Sequence, residues 1–164
     1  MIGGPGRRRI GCDPEGRPLP GRIDDLSRFH IPFSASDADI DELDHVNNAV
    51  WIVWAQEASM AHWFAAARAC DRDRYVAMVL KHEIEYRANI RSGEQAGAVT
   101  WIDGPPRGAR YTRHVEFIDA QGRRLVTVAS QWVLIDRATA RPVRVPPEVA
   151  APFLPLLTAS TETA

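Results

Sequence analysis

The chain has 164 residues, 45% hydrophobic and 25% charged, the make-up of one folded domain with a real core rather than a disordered tail. Its formal net charge of −1 excludes the global positive field that binding to nucleic acid or an anionic membrane requires. Cys12 and Cys70 form no spaced framework and read equally as reduced thiols or as one disulfide. Residues 1–27 are rich in Gly, Pro and Arg, with turn signals at Asp13-Pro14 and Glu15-Gly16, and read as an arm or an extra hairpin. The start, MIGGPGRRRIGCDPEG, has no apolar h-region, so no secretory signal and a cytoplasmic location are expected. Arg7-Arg8-Arg9 is either a solvated stretch of that arm or a phosphate contact.

RFHIPFSAS, residues 28–36, reads as a strand that Pro32 confines to an edge or a bulge. Asp39, Asp41, Asp44 and His45 then crowd together just ahead of Asn47 and Asn48, residues that start helices well. AVWIVWAQEASMAHWFAAARA follows with no Gly or Pro and predicts one long helix. Val50, Trp54, Ala58, Ala61 and Ala65 form an apolar stripe that Trp51 and Ile52 widen beyond that of a surface helix. Gln56, Glu57, Ser59 and His62 interrupt it, which argues for a buried helix and against a membrane span.

In VAMVLKHEIEYRANI, residues Met78, Leu80, Ile84, Tyr86, Ala88 and Ile90 alternate with polar ones, predicting a strand with one buried face. AGAVTWID, ARYTRHVEFID and RRLVTVASQWVLID predict three more, joined by short Gly-containing turns, hence an antiparallel meander. PPEVAAPFLPLL predicts a short closing helix with Pro at its start. The class is α+β in one domain over residues 28–164. A nearly all-apolar helix is buried most simply by a curved antiparallel sheet wrapped around it, which is the hot-dog fold.

The stretch from Asp39 through Asp41, Asp44-His45-Val46-Asn47-Asn48-Ala49 and Trp51 to Trp54-Ala55-Gln56-Glu57 resembles the signature of hot-dog acyl thioesterases. It is similar both to the 4-hydroxybenzoyl-CoA thioesterase family and to plant acyl-ACP thioesterases. HEIEYRANIRSGE and the tail from Trp132 through RPVRVPPEV extend the likeness over roughly residues 28–153. The resemblance implies that Asp41 is the catalytic carboxylate and that the Asn48 backbone N–H polarises the thioester carbonyl. It implies a substrate role for His45, and it keeps Glu57 as a candidate helix carboxylate. Two positions depart from it: Asp44 stands where bacterial relatives often have Gly, and Leu43 where the plant-like enzymes have Asn.

The chemistry supports this reading independently. Thioester hydrolysis needs a nucleophile or base and positive potential where charge develops on oxygen, and a helix N-terminus supplies unpaired N–H donors there. Without the resemblance, Asp41 reads as an acid that complements the helix dipole. Asp39 and Asp44 read as capping or tuning groups. His45 is either a packing histidine or a substrate contact. His82, in phase with Leu80 and Ile84, is either a satisfied core histidine or a site residue, and Glu57 is either catalytic or bonded across a dimer interface. Trp51 and Trp54 belong to the core or line an acyl pocket. Asp41 and His45 alone do not make a metal site. The expectation is therefore an acyl-CoA or acyl-ACP thioesterase with no cofactor, no metal and no nucleic-acid or membrane partner, assembled as a homodimer or homotetramer. The alternatives are a hot-dog dehydratase or hydratase and a non-catalytic acyl-binding scaffold.

Overall fold

The computed structural model describes residues 9–155. In chain order the elements are β1 (Arg22–Ile23), β2 (Phe29–Ser34), α1 (Asn48–Ala66), α2 (Ala69–Arg74), β3 (Tyr75–Tyr86), β4 (Gln95–Ile102), β5 (Arg110–Ile118), β6 (Arg124–Asp136), β7 (Arg141–Pro142) and α3 (Pro147–Ala150). The strands form one antiparallel sheet in the order β1-β2-β4-β5-β6-β3, with β7 against β6. That sheet wraps around α1, giving the hot-dog fold.

The α1 segment propagates without a breaker, and Asn47 caps it, its side-chain oxygen accepting from the Ala49 N–H at 2.9 Å. Trp51, Ala58 and Ala61 are fully buried against the inner faces of β2, β4, β5 and β6. Trp51 meets Trp54 and Phe117 edge-on, each with centroids 5.1 Å apart. Truncating an aromatic so enclosed usually costs about 3–5 kcal/mol, so this cluster fixes where α1 sits. Ala65, expected on the buried stripe, is exposed; Phe64 is buried instead. The helix also stops earlier than expected, at Ala66. Ala67 and Arg68 are extended, and the Arg68 guanidinium grips the Asp71 carboxylate at 2.6 and 2.9 Å to start α2. No helix among the described residues is long and apolar enough to cross a membrane.

Two sheet expectations are corrected. The meander holds for β4, β5 and β6, but β3 does not lie beside β4; it pairs with β6 at the far edge. The helix carries the chain across the sheet, so the strand after it starts on the opposite side from β2. The second correction is one of phase. The β3 register slips between Val79 and Lys81, leaving Leu80 as a bulge. Inward positions are therefore Tyr75, Ala77 and Val79 before the bulge, then His82, Ile84 and Tyr86 after it, opposite the even residues of β6. Met78 and Leu80, expected in the core, are 54% and 43% exposed, and Tyr86, inward by register but at the strand's end, is 41% exposed. Pro32 does fall on an edge, since β1 pairs only with Phe29 and His30 of β2.

Residues before β1 form a small hairpin, with Cys12 bridged to Pro18 and buried. Gly11 presses it onto α1: its φ is +79°, and a Cβ there would come within 2.6 Å of the Met60 Cβ. Both cysteines are free thiols. Arg9 places its guanidinium over the Phe64 ring at 4.6 Å; Arg7 and Arg8 lie outside the described residues. The closing helix is a single turn, α3, with Pro147 at its start, followed by a 3-10 turn over Ala151–Phe153.

Candidate active site

The acidic segment folds as a closed loop. Ser36 and Asp39 form a capping box around a 3-10 turn, the Ser36 N–H donating to the Asp39 carboxylate at 2.8 Å. Ile40 then bridges to Val46, pinning the two ends together. Inside, the Asp41 N–H donates to the His45 carbonyl at 2.8 Å, and the Asp41 Oδ1 accepts from the Leu43 N–H at 2.9 Å. Asp44 makes the reversal at φ +58°, the left-handed conformation that Asp tolerates better than most side chains. The loop thus brings Asp41 and His45 opposite each other, both half-buried, directly before the capped start of α1.

Two further side chains hold this arrangement. Asn89 acts like a missing strand: its Oδ1 accepts from the Val46 N–H at 3.1 Å and its Nδ2 donates to the Val46 carbonyl at 3.0 Å. The Tyr86 hydroxyl donates to the Asn48 carbonyl at 3.1 Å, tying the end of β3 to the start of α1. The Asn48 N–H, in the first turn, has no intrahelical acceptor. Neither Asn89 nor Tyr86 was separable in the sequence from its strand-like surroundings, since alternation assigns faces and not partners.

The other expected site residues lie elsewhere. Trp51 and Trp54 are in the core. Glu57 is 3% exposed under the N-terminal hairpin, where its carboxylate accepts from the Gly11 N–H. His82 shares a 2.7 Å hydrogen bond with the Ser130 hydroxyl, and burial holds its imidazole below the usual range. Asp39 spends its carboxylate on the capping box.

A cavity of about 520 Å³ lies apart from the loop. It lies between the second half of α1, the first half of β3 and the inner face of β5, and none of residues 41–48 lines it. On its wall is a residue the sequence reading passed over, Arg113, only 3% exposed. Its Nη1 donates to His62 Nδ1 at 3.0 Å and to the Thr100 hydroxyl at 3.1 Å, both partners being fully buried. Burial pushes the His62 imidazole down to about 2, the Arg113 charge adding to it, so His62 is neutral and accepts. The sequence did carry a signal: Arg113 falls in phase with Val115 and Phe117, the buried positions of β5.

The thioesterase-like superfamily matches residues 36–153. The chain belongs to that superfamily. The match begins at the capping box, so it takes in the whole acidic loop, α1 and the sheet from β3 onward. Among solved structures, the chain is similar to a Staphylococcus aureus hypothetical protein in complex with CoA, at 13% identity and TM-score 0.69, over 76% of this chain and 80% of that one. It is similar to a Synechocystis 1,4-dihydroxy-2-naphthoyl-CoA thioesterase, at 14% identity and TM-score 0.65, over 77% and 95%. A Bacteroides thetaiotaomicron acyl-ACP thioesterase matches at 18% identity and TM-score 0.64, over 71% of this chain and 49% of that one. At such identities these likenesses establish the shared fold. No curated protein matches the sequence.

The left-handed Asp44 gives the loop a direct test. Asp44→Gly is expected to melt at or above the wild type, because Gly adopts φ +58° freely. Asp44→Val should be less stable than Asp44→Gly by about 1–2 kcal/mol, the cost of a side chain badly suited to that conformation. Thermal melts of the two variants decide it; a Val variant that melts no lower than the Gly variant would refute the strained-loop account.

Proposed function

We propose that the protein is an acyl thioester hydrolase acting on acyl-CoA or acyl carrier protein substrates. The observation that supports this best is the closed loop that holds Asp41 directly ahead of a capped, apolar helix start. Asp41 serves as base or nucleophile, and the Asn48 N–H faces the oxygen on which negative charge develops. One such donor is worth about 3 kcal/mol of transition-state stabilisation. His45, across the loop from Asp41, assists. Net, water replaces the thiol on the carbonyl carbon, the C–S bond breaks, and the thiol leaves with a proton. Family membership supports thioester hydrolysis in general terms. The dehydratase alternative draws no support from His82, whose ring partner is Ser130 and not a carboxylate.

The working unit in this proposal is a homodimer. β3 is an edge strand of 12 residues carrying exposed Met78, Leu80 and Tyr86, an edge that stays monomeric only if something covers it. Antiparallel pairing of two β3 edges would set the Tyr75–Val79 half of one beside the Tyr86 end of the other. Because Tyr86 is tied to the helix start, this brings one protomer's cavity toward the partner's Asp41 loop. Sedimentation at micromolar concentration should show a dimer. Incubation with a panel of acyl-CoAs should release free thiol. A stable monomer would remove the shared site, and conversion of enoyl to hydroxyacyl groups without thiol release would overturn the hydrolase reading.

A further inference from the structure

We propose that the cavity beside β3 receives the far end of an acyl group that terminates in a carboxylate, and that Arg113 holds that carboxylate. The inference rests on the thioesterase reading for the other, reacting end of the substrate. Its basis is a buried cation with no anion. Among the described residues no ion pair includes Arg113, and no Asp or Glu lines the cavity. A charge so enclosed is costly unless something compensates it.

The guanidinium is built to present a fork. Both Nη1 hydrogens are used on His62 and Thr100, while Nε and Nη2 have no hydrogen-bond partner among the described residues. Those two nitrogens form the side of the guanidinium that grips a carboxylate through two parallel bonds. His62 holds the ring of contacts in place without adding a second positive charge. Trp132, also on the wall, has its indole N–H buried and without a hydrogen-bond partner among the described residues. At the rim stand exposed Arg9 and Arg137, so the cavity is lined by donors and cations at both depths. Between them lie Met60, Trp63 and Val79, apolar walls suited to a hydrocarbon or aromatic spacer. A chain ending in methyl would leave Arg113 as it is now; one ending in carboxylate would pair it.

The test compares matched pairs of CoA thioesters, each pair having the same chain length and ending in either methyl or carboxylate. Because CoA is common to both members, contacts to its phosphates cancel in the ratio. The wild type should favour the carboxylate-ended member in kcat/KM by at least about tenfold. Arg113→Met should abolish or invert that preference, and Arg113→Lys, which keeps the charge but not the fork, should retain part of it. If Arg113→Met does not fold, Arg113→Lys together with Thr100→Val carries the comparison. Calorimetric titration with free dicarboxylic and monocarboxylic acids reads the site without turnover. Should no CoA ester be cleaved while dicarboxylates still bind in an Arg113-dependent way, the hydrolase reading fails and this assignment stands. The assignment is overturned if the wild type shows no preference and Arg113→Met leaves the ratio unchanged. Loss of free-CoA binding in Arg113→Met with an unchanged ratio would equally overturn it, placing a carrier phosphate at Arg113.

Discussion

Replacing Asp41 by Asn is expected to lower thiol release by at least about 100-fold, the lower range for loss of a positioned general base. The structure makes this substitution a clean one. Asp41 has a structural task, accepting the Leu43 N–H at 2.9 Å, and an Asn carbonyl oxygen at the same place can still accept it. Only the negative charge is lost. Stability should change by no more than about 1 kcal/mol, as for other exposed or half-buried loop charges. Asp41→Ala would remove the turn contact as well and so confuse folding with chemistry. Glu57→Gln is the necessary companion, since Gln also keeps the contact to the Gly11 N–H. The Glu57 variant should retain turnover within a few-fold. Near wild-type activity in Asp41→Asn with loss in Glu57→Gln would move the chemistry to the helix carboxylate. If neither change matters on a substrate the wild type cleaves, the proposed mechanism is wrong.

Acid should destabilise the fold through His62 well before the carboxylates titrate. In the unfolded chain its imidazole takes a proton near the ordinary 6.5, whereas in the fold burial delays this to about 2. The folded-state value is depressed, so stability is complete above pH 6.5 and is lost progressively as pH falls below it. The slope approaches about 1.4 kcal/mol per pH unit, giving about 2 kcal/mol between pH 7 and pH 5. For a chain of this size that is a drop in Tm of roughly 4–8 °C. His62→Gln retains an acceptor for Arg113 and cannot titrate at that position, so it should lose less stability than the wild type over the same interval, by about 2 kcal/mol. His82 is shifted in the same direction and contributes equally to both proteins. Melts must be run at one protomer concentration, because dimerisation also sets Tm. Equal losses in the wild type and His62→Gln would show that His62 does not govern the acid limb.

Much of this molecule was legible in one dimension. The long apolar helix, its Asn47-Asn48 start and the strand-forming segments after it are local matters of propensity, capping and period. Asp44 stands where bacterial relatives often have Gly, and it makes the left-handed turn that Gly adopts freely and few other side chains tolerate. The motif from Asp39 to Glu57 placed the chain among hot-dog thioesterases, and the superfamily match over residues 36–153 bears that out.

What the alternation of β3 could not convey was the slip at Leu80. A bulge leaves composition unchanged and reverses which residues face inward, so Met78 and Leu80 were assigned to the wrong side. Strand order was equally hidden, because the partner of β3 depends on where α1 delivers the chain and not on anything within β3. The same holds for the buried polar set. His62, Thr100 and Arg113 come from α1, β4 and β5, and each by itself looks like a polar interruption in an apolar run. Only folding brings His62 and Thr100 to 3.0 and 3.1 Å from the Arg113 guanidinium. Periodicity records whether a residue is buried; what it is buried against is a relation between distant segments, and the tertiary structure alone decides it.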